Sequence, residues 1–309
     1  MYSKPKLFSL CMVAAVFVLA ALGSWAAPNC NWSRTNGDGD YVTTLAVAAN
    51  FVPAATDLVT NCQTSGNCNN TTYTVCSDST GNLMTELNND YSPDNAFTTY
   101  GYFFAADATS AEYYNGHTGT GTAYSYAKGV PVFFAEYNAG GIHAVGHLLN
   151  SQSDEDRSLN IATTASGYTI NTADSKYIAV ANTTAPYGVK SHTIINTMMG
   201  TSLPGTIPTA YITSPLYGNI GAVFNAVTND TNKSGFGAKS QICSGSGGVN
   251  TTYVYVEFTN GDYILNQKAI KLNSSTAATR LDDYINTTLG CPSGASWQTF
   301  VTNHCYKVP

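Results

Sequence analysis

One stretch near the amino terminus shows the plan that the rest of the chain follows: residues 41–53 read YVTTLAVAANFVP. The run from Tyr41 to Ala48 is apolar and rich in β-forming residues, which predicts a buried strand. The short loop Ala49-Asn50-Phe51 follows, and Pro53 stands where proline favours the first turn of a helix. The stretch therefore predicts a strand, a polar loop and a helix in immediate succession.

The same plan recurs three more times. The later strand and helix pairs are Thr71–Cys76 with Gly81–Asn89, Tyr177–Ala181 with Tyr187–Met199, and Ala210–Thr213 with a helix from about Asn219 to Asn229. A further strand is predicted at Tyr253–Phe258 and a last helix at Thr276–Leu289. Strands that alternate with helices predict parallel sheets covered by helices on both faces, so we expect an α/β protein.

The first 26 residues have the layout of a secretory signal. Two lysines precede an apolar run from Leu7 to Leu22, and small residues follow at Ser24 and Ala26. This layout predicts a signal peptide over residues 1–26, cleaved after Ala26, with an uncleaved anchor as the alternative. We therefore expect a periplasmic or extracellular protein whose residues 27–40, poor in apolar side chains, form a flexible mature terminus.

Charge and composition exclude one class of partner. The formal net charge of −6 becomes −8 when the two lysines of the signal are removed. Nucleic-acid binding calls for a basic surface, so no nucleic-acid partner is expected. Only 10% of the residues are charged, and neutral polar side chains must solvate most of the surface.

The mature chain has an odd number of cysteines. They are Cys30, Cys62, Cys68, Cys76, Cys243, Cys291 and Cys305. In an oxidising compartment such residues form disulfides, and the tight Cys-x2-Cys pairs of a structural zinc site are missing. We predict one bridge between Cys291 and Cys305 and one within the cluster of Cys62, Cys68 and Cys76, which leaves at least one thiol free or paired between chains.

Catalytic and metal motifs are weak. His143 and His147 have the spacing of a zinc-binding pair, but no Glu follows His143 and nearby glycines disfavour a helix. They lie in residues 137–171, which we interpret as a surface insertion with a solvated acidic triplet at 154–156. No Gly-x-Ser-x-Gly elbow is present. The sequence thus predicts a protein that is not an enzyme and needs no metal or cofactor.

The strand-to-helix loops suggest a different chemistry. At a helix start, free backbone N–H groups and the positive end of the helix dipole point outward. Four such ends meeting in one cleft would hold a dianion without any Lys or Arg. The loops add the neutral donors Asn50, Ser79, Thr80 and Tyr187. Simple helix capping is the alternative explanation of these residue types.

The loop sequences resemble those of the periplasmic molybdate-binding proteins of ABC transporters. The similar segments occur in the family's order across residues 41–309: Val47–Phe51, Ser79–Leu83, Phe103–Asp107, Tyr126–Gly129, Ile178–Asn182, Ala185–Gly188, Gly218–Ile220, Gly235–Gln241 and Cys305–Pro309. The resemblance implies a two-lobed type II periplasmic-binding fold, in which each lobe is a mostly parallel sheet flanked by helices and two chain crossovers form the hinge. Residues 41–130 and 240–309 would form lobe one and residues 131–239 lobe two.

The resemblance also implies a site and a role. Asn50 and Ser79 would bind a tetrahedral oxyanion from lobe one, and Tyr187 and the backbone N–H of Ile220 would bind it from lobe two. The ligand would be molybdate or tungstate, and the partner of the monomeric protein would be a membrane ABC permease. A structural or adhesive role outside the cell is the alternative from another functional class.

One residue departs from the family pattern. Asp78 stands where the family has Gly or another small residue before the ligand serine. It would either turn outward as a helix cap or accept a proton from a partly protonated oxyanion such as hydrogen phosphate. Lys239 is a candidate to neutralise it.

Overall fold

The structure is a computed structural model, and it describes residues 28–94, 96–136, 148–150, 160–162, 168–170, 178–198, 216–231 and 233–309. Four sequence predictions concern residues outside these ranges: the signal peptide, the His143 and His147 pair, the acidic triplet, and the strand Ala210–Thr213. Within the described residues, no helix has the length and apolar content needed to cross a membrane.

Some of the described elements alternate between strands and helices, and other parts of the chain contain several strands in succession. The strands are β1 (Asn29–Thr35), β2 (Tyr41–Ala48), β3 (Thr71–Asp78), β4 (Tyr91–Ser92), β5 (Ala96–Phe97), β6 (Tyr100–Phe104), β7 (Tyr124–Gly129), β8 (Pro131–Glu136), β9 (Leu148–Asn150), β10 (Asn160–Ala162), β11 (Tyr168–Ile170), β12 (Ile178–Ala179), β13 (Ser234–Ala238), β14 (Tyr253–Phe258) and β15 (Leu265–Lys271). The helices are α1 (Val52–Thr64), α2 (Thr80–Asp90), α3 (Ala108–Glu112), α4 (Pro186–Met198), α5 (Ile220–Thr228), α6 (Thr276–Asp283) and α7 (Ala295–Asn303).

Lobe one is built on a six-stranded sheet with the order β1-β3-β2-β6-β15-β7. Strand β2 lies between β3 and β6 and is parallel to both, as the strand and helix alternation predicts. Strand β15 runs antiparallel to β6 and β7. The sheet is therefore mixed rather than mostly parallel, because β15 comes from the carboxyl-terminal part of the chain and enters in the opposite direction.

Lobe two is built on a five-stranded sheet with the order β10-β14-β8-β13-β12. Strand β8 is antiparallel to both of its neighbours, while the two edge pairs are parallel. A buried apolar core formed by Phe133, Ile194, Phe236 and Val256 joins this sheet to α4. The two sheets with their helices give the two-lobed α/β architecture that the sequence predicts.

In the part of the chain that the structure describes, two crossings between the lobes are seen. Only Val130 separates β7 of lobe one from β8 of lobe two, and the return lies between β14 and β15. The return predicted at residue 240 is too early, because β14 still pairs with β8 in the second sheet. The alternation of apolar residues in β14 predicts a strand, but it does not tell which of the two sheets that strand joins.

The predicted flexible terminus is a strand instead. Strand β1 forms the edge of the lobe-one sheet by pairing antiparallel with β3, and the disulfide Cys30–Cys76 links the two strands. Main-chain pairing stabilises β1 even though most of its side chains are exposed. The polar composition of residues 27–40 therefore gave no sign of a strand.

Two other disulfides occur in the described residues. Cys62–Cys68 confirms the predicted bridge within the first cysteine cluster. The predicted Cys291–Cys305 bridge is wrong, since Cys305 pairs with Cys243 and Cys291 keeps a free, half-buried thiol. Burial raises the pKa of the Cys291 thiol, so it stays protonated.

Candidate functional site

A small pocket lies between the two lobes. Its walls come from the starts of α1, α2, α4 and α5 together with the end of β6. The lining residues are Ala48, Ala49, Asn50, Asp78, Ser79, Thr80, Ala106, Ala185, Pro186, Tyr187, Asn219 and Ile220. The structure thus brings together the four residues named as a site from the sequence, Asn50, Ser79, Tyr187 and Ile220, and the described part of the lining contains no Lys or Arg.

On the lobe-one side, two hydroxyl groups stand at the start of α2. Ser79 is the N-cap residue, and its Oγ accepts the backbone N–H of Asn82 at 3.2 Å. Thr80 Oγ1 accepts the backbone N–H of Ala106 at 3.1 Å. Each hydroxyl uses a lone pair in its bond, so its proton stays available for an acceptor in the pocket.

On the lobe-two side, α5 and α4 begin at the pocket. Asn219 caps α5 by accepting the N–H of Ala222 at 2.9 Å, and Ile220 is the first residue of the helix. A backbone N–H at that position has no partner within its own helix. At the start of α4, Gly188 allows the helix to pack closely against the preceding loop, because a Cβ at this position would overlap the carbonyl oxygen of Asn182.

A buried hydrogen-bond network that sequence reasoning missed lies behind the pocket, centred on Gln267 in β15. Its Oε1 accepts from Asn50 Nδ2 at 3.2 Å and from the Tyr126 hydroxyl at 2.7 Å. Its Nε2 donates to the Tyr187 hydroxyl at 3.1 Å. Gln267 therefore links Asn50 of lobe one to Tyr187 of lobe two, and it leaves the Tyr187 proton free to be donated elsewhere.

The tyrosines around this network stay neutral. Burial raises the pKa of Tyr126, Tyr187 and Tyr306 above the usual phenol value. Their hydroxyls therefore keep their protons at neutral and moderately alkaline pH. For an anion, Tyr187 would be a donor throughout that range.

Asn50 lies in the pocket wall with its side chain already engaged. Its Nδ2 donates to Gln267 and, at 3.0 Å, to the Tyr306 hydroxyl, while its buried Oδ1 has no partner among the described residues. Tyr306 in turn donates to the Asn50 carbonyl oxygen at 2.7 Å. In this arrangement both amide protons are used, so Asn50 would offer a pocket anion its backbone N–H, or its side-chain N–H after the amide turns over.

Asp78 points into the site, not outward as one prediction had it. It is only 7% exposed, and it lines the pocket. The predicted partner Lys239 is elsewhere: its Nζ pairs with Glu257 Oε2 at 2.6 Å. Among the described residues that line the pocket, Asp78 is therefore the one formally charged side chain, and its charge is negative.

Metal binding has no support in the described part of the chain, where no group of three or more His, Cys, Asp or Glu side chains is placed to hold an ion. The histidine pair considered from the sequence lies outside that part. The chemistry that the pocket can supply is hydrogen bonding from backbone N–H groups and neutral hydroxyls.

Known structures share this architecture, although no protein-family model and no curated protein matches the sequence. The periplasmic molybdate-binding protein of Azotobacter vinelandii aligns with 86% of this chain and 99% of its own, at 16% identity and a TM-score of 0.57. The fold is that of the type II periplasmic-binding proteins. A substrate-binding protein of an ABC transporter from Agrobacterium tumefaciens aligns with 84% of this chain and 80% of its own, at 11% identity and a TM-score of 0.55. At these identities the type II fold is established, and the ligand must be argued from the pocket.

Proposed function

We propose that the protein is an extracytoplasmic solute-binding protein that captures a small tetrahedral oxyanion, molybdate or tungstate, and delivers it to an ABC permease. One observation carries the proposal. Residues at the starts of four helices, two from each lobe, line a single pocket whose described lining has neutral donors and no basic side chain. An anion in that position would be held by backbone N–H groups, helix dipoles and hydroxyls.

The proposed binding of a solute requires both lobes. A solute held by Ser79 of lobe one and by Tyr187 and Ile220 of lobe two is fully coordinated only when the lobes are together. The bound solute therefore stabilises the closed form, which a permease can distinguish from the open form. Three disulfides in the described residues favour an oxidising compartment and so support an extracytoplasmic location.

The inward carboxylate of Asp78 favours a second candidate ligand. A protonated oxyanion such as hydrogen phosphate could donate its proton to Asp78, whereas a fully deprotonated ligand would be repelled by it. Both candidates use the same pocket and differ in the one group that faces Asp78. Comparing ligands at fixed pH therefore decides between them.

A thermal-shift screen of the purified exported protein tests the proposal. The panel should contain molybdate, tungstate, sulfate and phosphate at equal ionic strength. A ligand present at a hundred times its dissociation constant should add about 2.7 kcal/mol to the free energy of unfolding. Failure of every oxyanion in the panel to raise the melting temperature would contradict the proposed function.

A further inference from the structure

The carboxylate of Asp78 accepts hydrogen bonds from donors at the start of α2. Asp78 is the last residue of β3 and directly precedes the N-cap residue Ser79. Its Oδ1 accepts the backbone N–H of Ser79 at 2.6 Å, and its Oδ2 accepts from Asn82 Nδ2 at 3.1 Å. A negative charge is stabilised at a helix start, so the carboxylate lies in a favourable place.

The same carboxylate also binds the opposite lobe. Asn219 Nδ2 donates to Asp78 Oδ1 at 2.8 Å. The Asn219 amide is oriented by its own helix, because its Oδ1 accepts the N–H of Ala222. Its Nδ2 is thereby directed away from α5 and toward lobe one. Asp78 thus gathers donors from both lobes, as a bound oxyanion is proposed to do.

We propose that Asp78 is an internal anion that holds the two lobes closed when no solute is bound. The inference rests on the proposed function in treating the pocket as an oxyanion site. A fully deprotonated oxyanion that enters beside Asp78 is repelled by its carboxylate, so the contact between Asp78 and Asn219 opposes the binding of such a solute. The contact therefore competes with solute. If it keeps nine tenths of the molecules closed, the apparent dissociation constant rises about tenfold.

Small-angle X-ray scattering of the solute-free protein tests this directly. Asn219→Ser keeps an N-cap oxygen for α5 but removes the amide that reaches Asp78. Asp78→Ala removes the carboxylate itself. Asp90→Ala is the matched control, because the described partners that donate hydrogen bonds to Asp90, namely Thr98, Thr99 and Tyr100, all belong to lobe one.

The wild type and Asp90→Ala should scatter as the closed structure does, and both Asn219→Ser and Asp78→Ala should have a larger radius of gyration. A solute-free wild type as expanded as these variants would overturn the proposal, and so would variants as compact as the wild type. No oxyanion is present in the experiment. Its outcome is therefore separate from that of the thermal-shift screen, which tests the proposed function.

Discussion

Replacing Ser79 by alanine tests the site most specifically, because the hydroxyl of Ser79 has two separable roles. As the N-cap of α2 it accepts the N–H of Asn82 at 3.2 Å, and its loss should lower the free energy of unfolding by about 1 kcal/mol. As a donor to a charged ligand, its loss should weaken binding by about 1.5–3 kcal/mol, or roughly 10- to 150-fold in affinity. Urea unfolding measures the first effect, and isothermal titration calorimetry measures the second.

Ser275→Ala is the matched control for this variant. Ser275 caps α6 by accepting the N–H of Ala278 at 3.3 Å, with backbone angles of −56° and 150° that are close to the −61° and 148° of Ser79. It does not line the pocket. Ser275→Ala should therefore lose similar stability and keep the wild-type affinity. If Ser79→Ala binds every tested oxyanion as the wild type does, or if both variants lose affinity equally, the site is misplaced.

Three further predictions concern the surrounding structure. A Cβ at Gly129 would overlap the Tyr187 hydroxyl, so Gly129→Ala should lower the free energy of unfolding in urea by about 1–3 kcal/mol. An unchanged free energy would show that the hydrogen-bond network around Gln267 is loosely packed. Burial lowers the pKa of His192 from its ordinary 6.5. As the pH falls, His192 is therefore protonated in the unfolded chain before it is protonated in the folded protein. The free energy of unfolding should fall as pH falls below about 6.5 and should level off below the folded pKa. The difference in unfolding free energy between wild type and His192→Gln should change over the same pH range, and a difference that does not vary with pH would contradict this prediction. Cys243→Ser opens a bridge between residues 62 apart and should cost roughly 4 kcal/mol, whereas unchanged unfolding would mean that Cys243 and Cys305 are not paired.

The strand and helix units were predictable because their signals are local. Tyr41–Ala48 is confirmed residue for residue as β2, and the helix that Pro53 indicated is α1. Alternating apolar residues, a polar loop and a capping residue lie within about twenty positions of one another, so a single sequence contains the whole signal. The convergence of four helix starts in one pocket then follows from the way parallel strands align their carboxyl ends.

The cross-chain pairings could not be read in the same way. Cys305 pairs with Cys243 instead of Cys291, and Lys239 pairs with Glu257 instead of Asp78, because tertiary packing decides which partner is near. Gln267 carried one faint signal, a polar residue at an inward position of a strand. Its link between the lobes depends on side chains from three distant parts of the chain.

The central claim is that an oxyanion binds between the four helix starts. Anomalous diffraction from crystals of the exported protein grown with tungstate locates the tungsten atom without assuming a site. We expect one tungsten peak in the pocket, with its oxygens within hydrogen-bond reach of the Ser79 hydroxyl and the Ile220 backbone N–H. A tungsten peak elsewhere on the protein, or none in crystals of a protein that binds tungstate in solution, would contradict the claim.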